Sequence, residues 1–581
     1  MRPIRYLIIA ACLISLVACQ NLPFKKGPAE SGKGVEAPEK KALTGKPEEK
    51  GKTISLDKKS LYGLLLGEIA IQRGEFEVAY KNYLDVAKKS ADPEAAERAT
   101  HVARLLKDDQ AVLKAAAVWD RLEPDALSLH QIATLASARM GREEEAAEHL
   151  RDILRIAKTQ DTDGFLQVAL VLSRLKDKAL GLHLMDAIVK EHEQAPEAWY
   201  AHAVVAIGAE RFPLAESSTR KALELRPAWD RASIMLSRVL QARGNNADAR
   251  RVLEEALEKD PHDRGLRAAY ARLLVEAKDY EEAYRQFKQL LKDDKEDVDA
   301  RFALGVLALQ LEKYDDARRY LKALVETGEK EDEATYYLAQ TEEEAGRVDE
   351  AVKWYKRVKG ENLFEARTRL ARIYAKNGEI KRAKELLQQL RDHDPKESVR
   401  LYLVEAEILQ EIGKPLQAMA LFDRALKAHP GDPRLLYGRA LLAASLDKVD
   451  MAERDLREVL RKNPKDADAL NALGYTLADQ TDRYEEALVY IKEALALKPD
   501  SAAILDSMGW VQYKLGNLKE ALRYLERAMG LVPDAEIAAH LGEVLWKMGE
   551  RKKARKVWDE ALEKEPESKP LLKTLERFRN N

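Results

Sequence analysis

The sequence predicts an all-α solenoid of about fifteen helical hairpins that ends in a capping helix. The composition favours helices, because the 581 residues include only 28 glycines and 20 prolines. No stretch shows the apolar–polar alternation and turn residues that are typical of β-strands. Small residues recur every 34 positions in the middle of the chain, at Ala215, Ala249, Ala283, Ala317 and Ala351.

Residues 1–18 are predicted to be a lipoprotein signal peptide rather than part of the fold. Two arginines precede an apolar run, residues 6–17, that is short for a membrane-spanning helix. The run ends at residues 16–19 in Leu-Val-Ala-Cys, which resembles the bacterial lipoprotein processing box. That resemblance implies that Cys19 is acylated and begins the mature protein. An ordinary secretory signal with a chance cysteine is the alternative.

The segment 19–55 is predicted to be the acylated cysteine followed by a flexible tether. It is rich in lysine, glutamate, glycine and proline, so it buries too little apolar surface to offset its ordering entropy. Gln20 stands where an aspartate commonly retains Gram-negative lipoproteins in the inner membrane. The resemblance therefore implies an outer-membrane lipid anchor with the body of the protein in the periplasm.

The repeat array is predicted over residues 56–567 and is clearest over residues 468–533. There the pairs Gly474-Tyr475 and Gly509-Trp510 are each followed by an alanine and then a proline stop. This pattern resembles the tetratricopeptide repeat and implies a superhelical solenoid of helical hairpins. Small residues are expected where the two helices of a hairpin approach closely, and a large apolar residue fills the hairpin core.

Three parts of the array depart from the regular pattern. Residues 94–124 and 162–195 lack a clean pair of small residues, but their lengths fit one repeat each. One extra residue within 479–483 is expected to lengthen the surface loop between two helices. Residues 568–581 follow the last proline stop and are predicted to form the polar capping helix that a solenoid needs at its end.

Several function classes have no support in the sequence. The 98 basic and 100 acidic residues nearly cancel, so there is no basic excess for nucleic-acid binding. Both cysteines lie within the first nineteen residues, which excludes thiol chemistry in the array. No zinc-protease, phosphate-binding or serine-hydrolase motif is present. The sequence therefore predicts no enzyme, no catalytic residue, no metal site, no cofactor and no small-molecule substrate.

The tetratricopeptide resemblance implies that the first helix of each hairpin lines a groove that binds partner proteins. Aromatic and arginine side chains at the groove positions are the usual anchors of such surfaces. The alternative for several of them is packing between adjacent repeats. The candidate groove residues are Arg238, Arg272, Phe302, Tyr336, Tyr437, Asn471, Tyr475, Trp510, Tyr513 and Trp546.

The processing box, the tether and the long array together resemble the outer-membrane lipoprotein adaptors of periplasmic carboxy-terminal processing proteases. The stretch 503–511 carries this resemblance most specifically. It implies a scaffold that brings such a protease to its cell-wall hydrolase substrates and raises their effective concentration. An assembly factor for an envelope machine, such as a pilus-secretin pilotin or a polysaccharide-export scaffold, is the alternative. An enzyme with an unrecognised site in the groove is a third possibility.

Overall fold

The computed structural model describes residues 57–578, so the predicted signal peptide, Cys19 and the whole predicted tether lie outside the described residues. Within that range the chain forms 31 α-helices and no β-strand. Thirty of these helices pair into fifteen hairpins, which confirms the predicted fold class. The described residues divide into two compact units, here called unit 1 and unit 2, with the boundary between residues 329 and 330.

Unit 1 contains eight hairpins. Their helices are α1 (Lys58–Gln72), α2 (Phe76–Ser90), α3 (Pro93–Leu105), α4 (Asp109–Leu122), α5 (Leu127–Arg139), α6 (Glu143–Thr159), α7 (Gly164–Ser173), α8 (Lys178–Glu191), α9 (Pro196–Gly208), α10 (Phe212–Leu225), α11 (Asp230–Ala242), α12 (Asn246–Lys259), α13 (Arg264–Glu276), α14 (Tyr280–Asp293), α15 (Val298–Gln310) and α16 (Tyr314–Thr327).

Unit 2 contains seven hairpins and a final single helix. Its helices are α17 (Glu331–Glu344), α18 (Val348–Arg357), α19 (Leu363–Lys376), α20 (Ile380–His393), α21 (Ser398–Glu411), α22 (Pro415–Ala428), α23 (Pro433–Ser445), α24 (Val449–Lys462), α25 (Ala467–Gln480), α26 (Tyr484–Leu497), α27 (Ala502–Lys514), α28 (Leu518–Leu531), α29 (Ala535–Lys547), α30 (Arg551–Lys564) and α31 (Lys569–Phe578).

The hairpin cores explain the recurring small residues. In the hairpin of α27 and α28, a methyl group added to Gly509 would lie 2.5 Å from Cγ of Leu525. It would also lie 3.2 Å from the carbonyl oxygen of Ala521 on the facing helix. Gly305 faces Leu321 in the same way in unit 1. The small residue on the first helix therefore makes room for the large apolar residue on the second.

The turn after α25 differs from the sequence-based expectation. The extra residue lengthens α25 to 14 residues, so three residues, 481–483, connect it to α26. Most hairpins turn through a residue with positive φ, such as Gly516, but Thr481 is extended at φ −142°. The Thr481 hydroxyl donates to the Leu477 carbonyl at 2.5 Å, which satisfies one of the free acceptors at the helix end. The prediction of a longer surface loop was therefore wrong.

The two irregular repeats are also helical hairpins, α3 with α4 and α7 with α8. In the first of them, Asp92 and Asp108 accept hydrogen bonds from backbone amides at the helix starts. In the second, a methyl group on Gly181 would lie 3.3 Å from the carbonyl oxygen of Leu172. A glycine at this position lets α7 and α8 approach more closely than an alanine would.

The last helix, α31, packs against α29 and α30. Leu571 is fully buried there, and Phe578 contacts the rings of Trp546 and Trp558 at 5.7 and 5.5 Å. The helix thus covers the apolar face of the final hairpin. Among residues 57–578, no helix combines the length and the apolar character that crossing a bilayer requires.

Candidate partner-binding surfaces

Two arginines occupy equivalent positions on consecutive hairpins of unit 1. Arg238 lies on α11 and is exposed, while Arg272 lies 34 residues later on α13 and is half-buried. Burial lowers the pKa of Arg272, and the positive charge of Arg238 lowers that pKa further. Across residues 57–578, neither guanidinium forms an ion pair or a side-chain hydrogen bond. Asp299 and Asp297 raise the pKa of Arg272, so the positive charge of this arginine pair is only partly compensated.

An aromatic surface adjoins the arginine pair. Tyr200 on α9 is half-buried, and burial raises the pKa of its hydroxyl while Arg231 and Arg238 act in the opposite direction. Its ring contacts that of Trp229 with centroids 4.9 Å apart, and the guanidinium of Arg226 lies over the Trp229 ring at 4.6 Å. Aromatic faces beside unpaired cations are typical of protein-binding surfaces.

Four of the predicted groove residues are buried instead. Phe302 on α15, Tyr336 on α17, Trp510 on α27 and Trp546 on α29 are only 4%, 2%, 5% and 8% exposed. Trp546 stacks on Trp558 at 5.7 Å, and the guanidinium of Arg551 lies over its ring at 4.9 Å. Packing within the repeats, the alternative left open by the sequence, therefore accounts for these side chains.

Unit 2 brings predicted groove residues from two adjacent hairpins together with a histidine from a third. Trp510 on α27 stacks on His540 of α29 with ring centroids 4.1 Å apart, and Tyr513 lies 5.2 Å from Trp510. Tyr475 on α25 approaches His540 at 6.1 Å. Four carboxylates surround these rings. The aromatic–acid cluster consists of Tyr475, Asp479, Asp506, Trp510, Tyr513, Glu536, His540 and Glu543.

Polar contacts hold the aromatic–acid cluster together. The Trp510 indole donates to Asp479 at 3.1 Å, and the Tyr513 hydroxyl donates to Glu543 at 3.1 Å. The Tyr475 hydroxyl likewise donates to Glu536 of α29 at 3.1 Å. Because Trp510 is buried, its principal contribution is to packing, whereas Tyr475 and Tyr513 remain partly exposed.

A buried ion pair lies at the centre of this cluster. His540 Nδ1 is 2.9 Å from Asp506 Oδ1 and 3.0 Å from Oδ2. Burial by itself would lower the pKa of His540, but the Asp506 carboxylate, with Glu536 and Asp479, raises that pKa above its usual value. The imidazolium form is therefore favoured at this position.

The last two predicted groove residues are partly exposed. Tyr437 lies on α23, where burial and then the charges of Asp468 and Asp466 raise the pKa of its hydroxyl. Asn471 lies on α25, and its side-chain oxygen is buried without a hydrogen-bond partner. Neither residue has an ion pair or ring contact with the aromatic–acid cluster in the part of the chain that the structure describes.

The sequence reasoning predicted none of the four acidic residues of this cluster as site residues. Glu543 directly follows Gly542, as Tyr475 and Trp510 follow their own glycines, so the repeat register could have identified it. Asp506 similarly occupies the position that Asn471 holds in the preceding repeat. His540 sits at a helix position that the tetratricopeptide resemblance does not assign to the groove.

We expect replacement of His540 by glutamine to destabilise unit 2 more at low pH than at high pH. The pKa of His540 is raised in the folded protein. The stabilisation that its contact with Asp506 provides is therefore complete below the unfolded-state pKa of about 6.5, and it is lost as the pH rises through the folded-state pKa. Amide hydrogen exchange in α27 and α29, measured at about pH 6 and about pH 9, checks this. The exposed His183 of unit 1 provides the control substitution. A pH-independent loss of protection would contradict the expectation.

Comparison with known proteins gives the family. Two tetratricopeptide-repeat family models match residues 206–362 and 368–577 between them. The chain belongs to the tetratricopeptide-repeat family. The TPR repeat-containing protein PA4667 of Pseudomonas aeruginosa is 39% identical over 542 residues, which is 92% of this chain and 90% of that protein.

Other similarities are shorter or more distant. Human protein O-mannosyl-transferase TMTC1 is 25% identical over 191 residues, 32% of this chain and 22% of that protein. A thermophilic TPR protein of Thermus thermophilus has a solved structure that is 28% identical. It covers 31% of this chain and 97% of that one, with a TM-score of 0.29. Proteins with tetratricopeptide repeats bind protein partners, and this tetratricopeptide-repeat chain has the fold of an interaction scaffold.

Proposed function

We propose that this protein is a scaffold that binds an acidic segment of a partner protein at the arginine pair. The supporting observation is that the charges of Arg238 and Arg272 interact, while neither guanidinium has an ion-pair or hydrogen-bond partner of its own among residues 57–578. A partner carboxylate would relieve their mutual repulsion, and a half-buried arginine loses little hydration in doing so. The neighbouring ring of Tyr200 would add an apolar contact.

A more specific proposal concerns the cellular location of the protein and the identity of its partners. This proposal rests on the sequence features at residues 1–55 together with the tetratricopeptide repeats. The protein is anchored in the outer membrane through acylated Cys19, with its body in the periplasm. It holds a carboxy-terminal processing protease and a cell-wall hydrolase substrate together, so that cleavage becomes effectively intramolecular. It has no enzymatic activity of its own.

The partner proposal is tested with charge reversals. We expect purified carboxy-terminal processing protease or its hydrolase substrate to bind the wild-type protein. At least one of the two should bind Arg238→Glu/Arg272→Glu about tenfold more weakly, which corresponds to the loss of one interface hot spot. Arg251→Glu/Arg285→Glu is the matched control, because it reverses two exposed charges on α12 and α14, the second helices of the same hairpins.

Two outcomes would count against this proposal. Equal weakening by the control pair would mean that net charge, rather than the arginine pair, governs binding. If the wild-type protein bound a pilus secretin but neither the protease nor the hydrolase, the assembly-factor alternative would be favoured. The affinity is measured at two salt concentrations, because an ionic contact weakens as salt screens it.

The anchor is tested separately by cell fractionation. We expect the wild-type protein in the outer-membrane fraction and Cys19→Ser in the soluble periplasmic fraction, because several acyl chains give stable membrane attachment. Cys12→Ser is the matched control and leaves fractionation unchanged. Persistence of Cys19→Ser in the outer-membrane fraction would refute the lipid anchor without affecting the proposed scaffold.

A further inference from the structure

Two histidines and an aspartate converge in one hairpin of unit 1, away from the arginine pair. His130 lies on α5, and His149 and Asp152 lie one turn apart on the same face of α6. The Nδ1 atoms of the two histidines are 3.2 Å apart, and Asp152 Oδ2 is 3.6 Å from His130 Nδ1. One nitrogen or oxygen from each of the three residues lies within 4.8 Å of the others.

The hydrogen bonds of His130 fix which of its nitrogens is free. Its Nε2 lies 2.9 Å from the carbonyl oxygen of Pro124, which can only accept, so Nε2 carries the proton. In the neutral ring this leaves a lone pair on Nδ1, directed towards His149. A histidine that donates its second nitrogen to a backbone carbonyl is typical of metal ligands, because that contact fixes the tautomer and orients the ring. The His130 side chain is only 1% exposed, so this orientation is held by packing.

Asp152 is oriented by a neighbouring arginine. Arg155 donates to Asp152 Oδ1 from Nε at 3.2 Å and from Nη2 at 3.0 Å, which leaves Oδ2 on the side of His130. The charge of Arg155 is shared with Asp125, which lies 2.6 Å from its Nη1. Asp120 contributes a further carboxylate 3.9 Å from His130 Nε2. The surroundings of the two imidazoles therefore favour a cation.

The ligand spacing fits zinc. With zinc–nitrogen bonds of about 2.0–2.1 Å in a tetrahedron, adjacent ligand atoms lie about 3.3 Å apart. The observed separations of 3.2 and 3.6 Å bracket that value. A hydrogen bond between the two rings would explain the nitrogen pair but not the convergence of Asp152.

We propose that His130, His149 and Asp152 form a binding site for one zinc ion. Two imidazole nitrogens and one carboxylate oxygen suit zinc, and the fourth position remains open to water or to a side chain of a partner protein. The ion would cross-link α5 and α6 at a position where only side-chain contacts now join them. His149 and Asp152 are partly exposed, so the site can be reached from solvent.

The test is zinc binding by the full chain, purified without a polyhistidine tag. Zinc chloride is titrated against a competing chromophoric chelator, and cobalt chloride is added in a parallel sample. We expect one zinc per chain and the visible absorption of tetrahedral cobalt. His149→Asn should weaken zinc binding by about a hundredfold and abolish the cobalt spectrum. Zinc should also raise the melting temperature of the wild-type protein but not that of the variant.

Two further variants make the result decisive. Asp152→Asn keeps the shape of the side chain but removes its charge, and should weaken zinc binding in a correctly folded protein. His183→Asn removes an exposed histidine on α8 that contacts Glu143, and should leave zinc binding unchanged. The two cysteines are present in every variant, so they cannot cause a difference. Equal affinity in wild type, His149→Asn and Asp152→Asn, or no zinc retained by wild type after dialysis, would overturn the proposal.

Discussion

Replacing Glu405 by alanine is expected to destabilise unit 2 by about 3–5 kcal/mol, because it would leave a buried arginine without its counter-charge. Glu405 on α21 and Arg391 on α20 are only 2% and 4% exposed, and Arg391 Nη2 lies 2.8 Å from Glu405 Oε2. The guanidinium also lies over the ring of Tyr402 at 4.4 Å and donates to Gln388 at 3.1 Å. These contacts hold the guanidinium in the core, so it cannot reach water when Glu405 is removed.

Two apolar residues should be able to replace the Arg391–Glu405 pair, provided that both charges are removed together. Neither oxygen of Glu405 lies in good hydrogen-bonding geometry, and Arg391 Nη1 has no hydrogen-bond partner in the described part of the chain. The pair therefore does not fully compensate the cost of burying it. We expect Arg391→Met/Glu405→Leu to recover most of the stability lost in Glu405→Ala. Replacing both members of a buried ion pair by apolar residues of similar volume is often neutral or stabilising.

Urea unfolding, together with amide exchange in α20 and α21, measures these effects. Arg400→Ala is the matched control. Its ion pair with Glu365, 2.9 Å long and exposed to solvent, joins the neighbouring helices α21 and α19, and its loss should cost less than about 1 kcal/mol. A double variant as unstable as Glu405→Ala would show that the pair is needed for its geometry rather than for charge balance.

The fold was predictable because its main constraint is steric, and this constraint appears in the sequence as a fixed spacing between small and large residues. A glycine such as Gly509 and a leucine such as Leu525 must recur at fixed offsets for two helices to pack, and that periodicity is visible in the sequence. The irregular hairpin of α7 and α8 was also found from its length alone. The turn after α25 was mispredicted, because a single inserted residue can extend either a helix or a loop. The capping contact of Thr481, which favours the helix, depends on three-dimensional geometry.

The functional surfaces were less predictable, because the exposure of a groove residue depends on the neighbouring repeats. Arg238 and Tyr336 lie on first helices of hairpins, yet one is exposed and the other is buried. His540 completes the aromatic–acid cluster from a position that does not line the groove in the family pattern. The proposed zinc ligands His130 and His149 are nineteen residues apart on two helices, a spacing that corresponds to no short metal-binding motif.

Replacing Gly542 by alanine is expected to destabilise the C-terminal end of unit 2 by about 2 kcal/mol. The added methyl group would lie 2.0 Å from the indole nitrogen of Trp558, whose ring is 1% exposed and contacts Trp546 and Phe578. Alanine gains about 1 kcal/mol over glycine in a helix, but overpacking of a rigid ring costs about 1–3 kcal/mol and is near its upper limit at so short a distance. The steric cost therefore exceeds the gain.

Gly530 provides the matched control, because it lies in the neighbouring helix α28 with no atom within 4 Å of an added methyl group. Gly530→Ala should therefore raise stability by about 0.5–1 kcal/mol, since only helix propensity changes. Urea unfolding followed by tryptophan fluorescence measures both variants, with Trp546 and Trp558 reporting directly on the affected core. If Gly542→Ala were as stable as Gly530→Ala, the indole of Trp558 would have to move freely. The apolar contact that joins α31 to the last hairpin would then not be a fixed part of the fold.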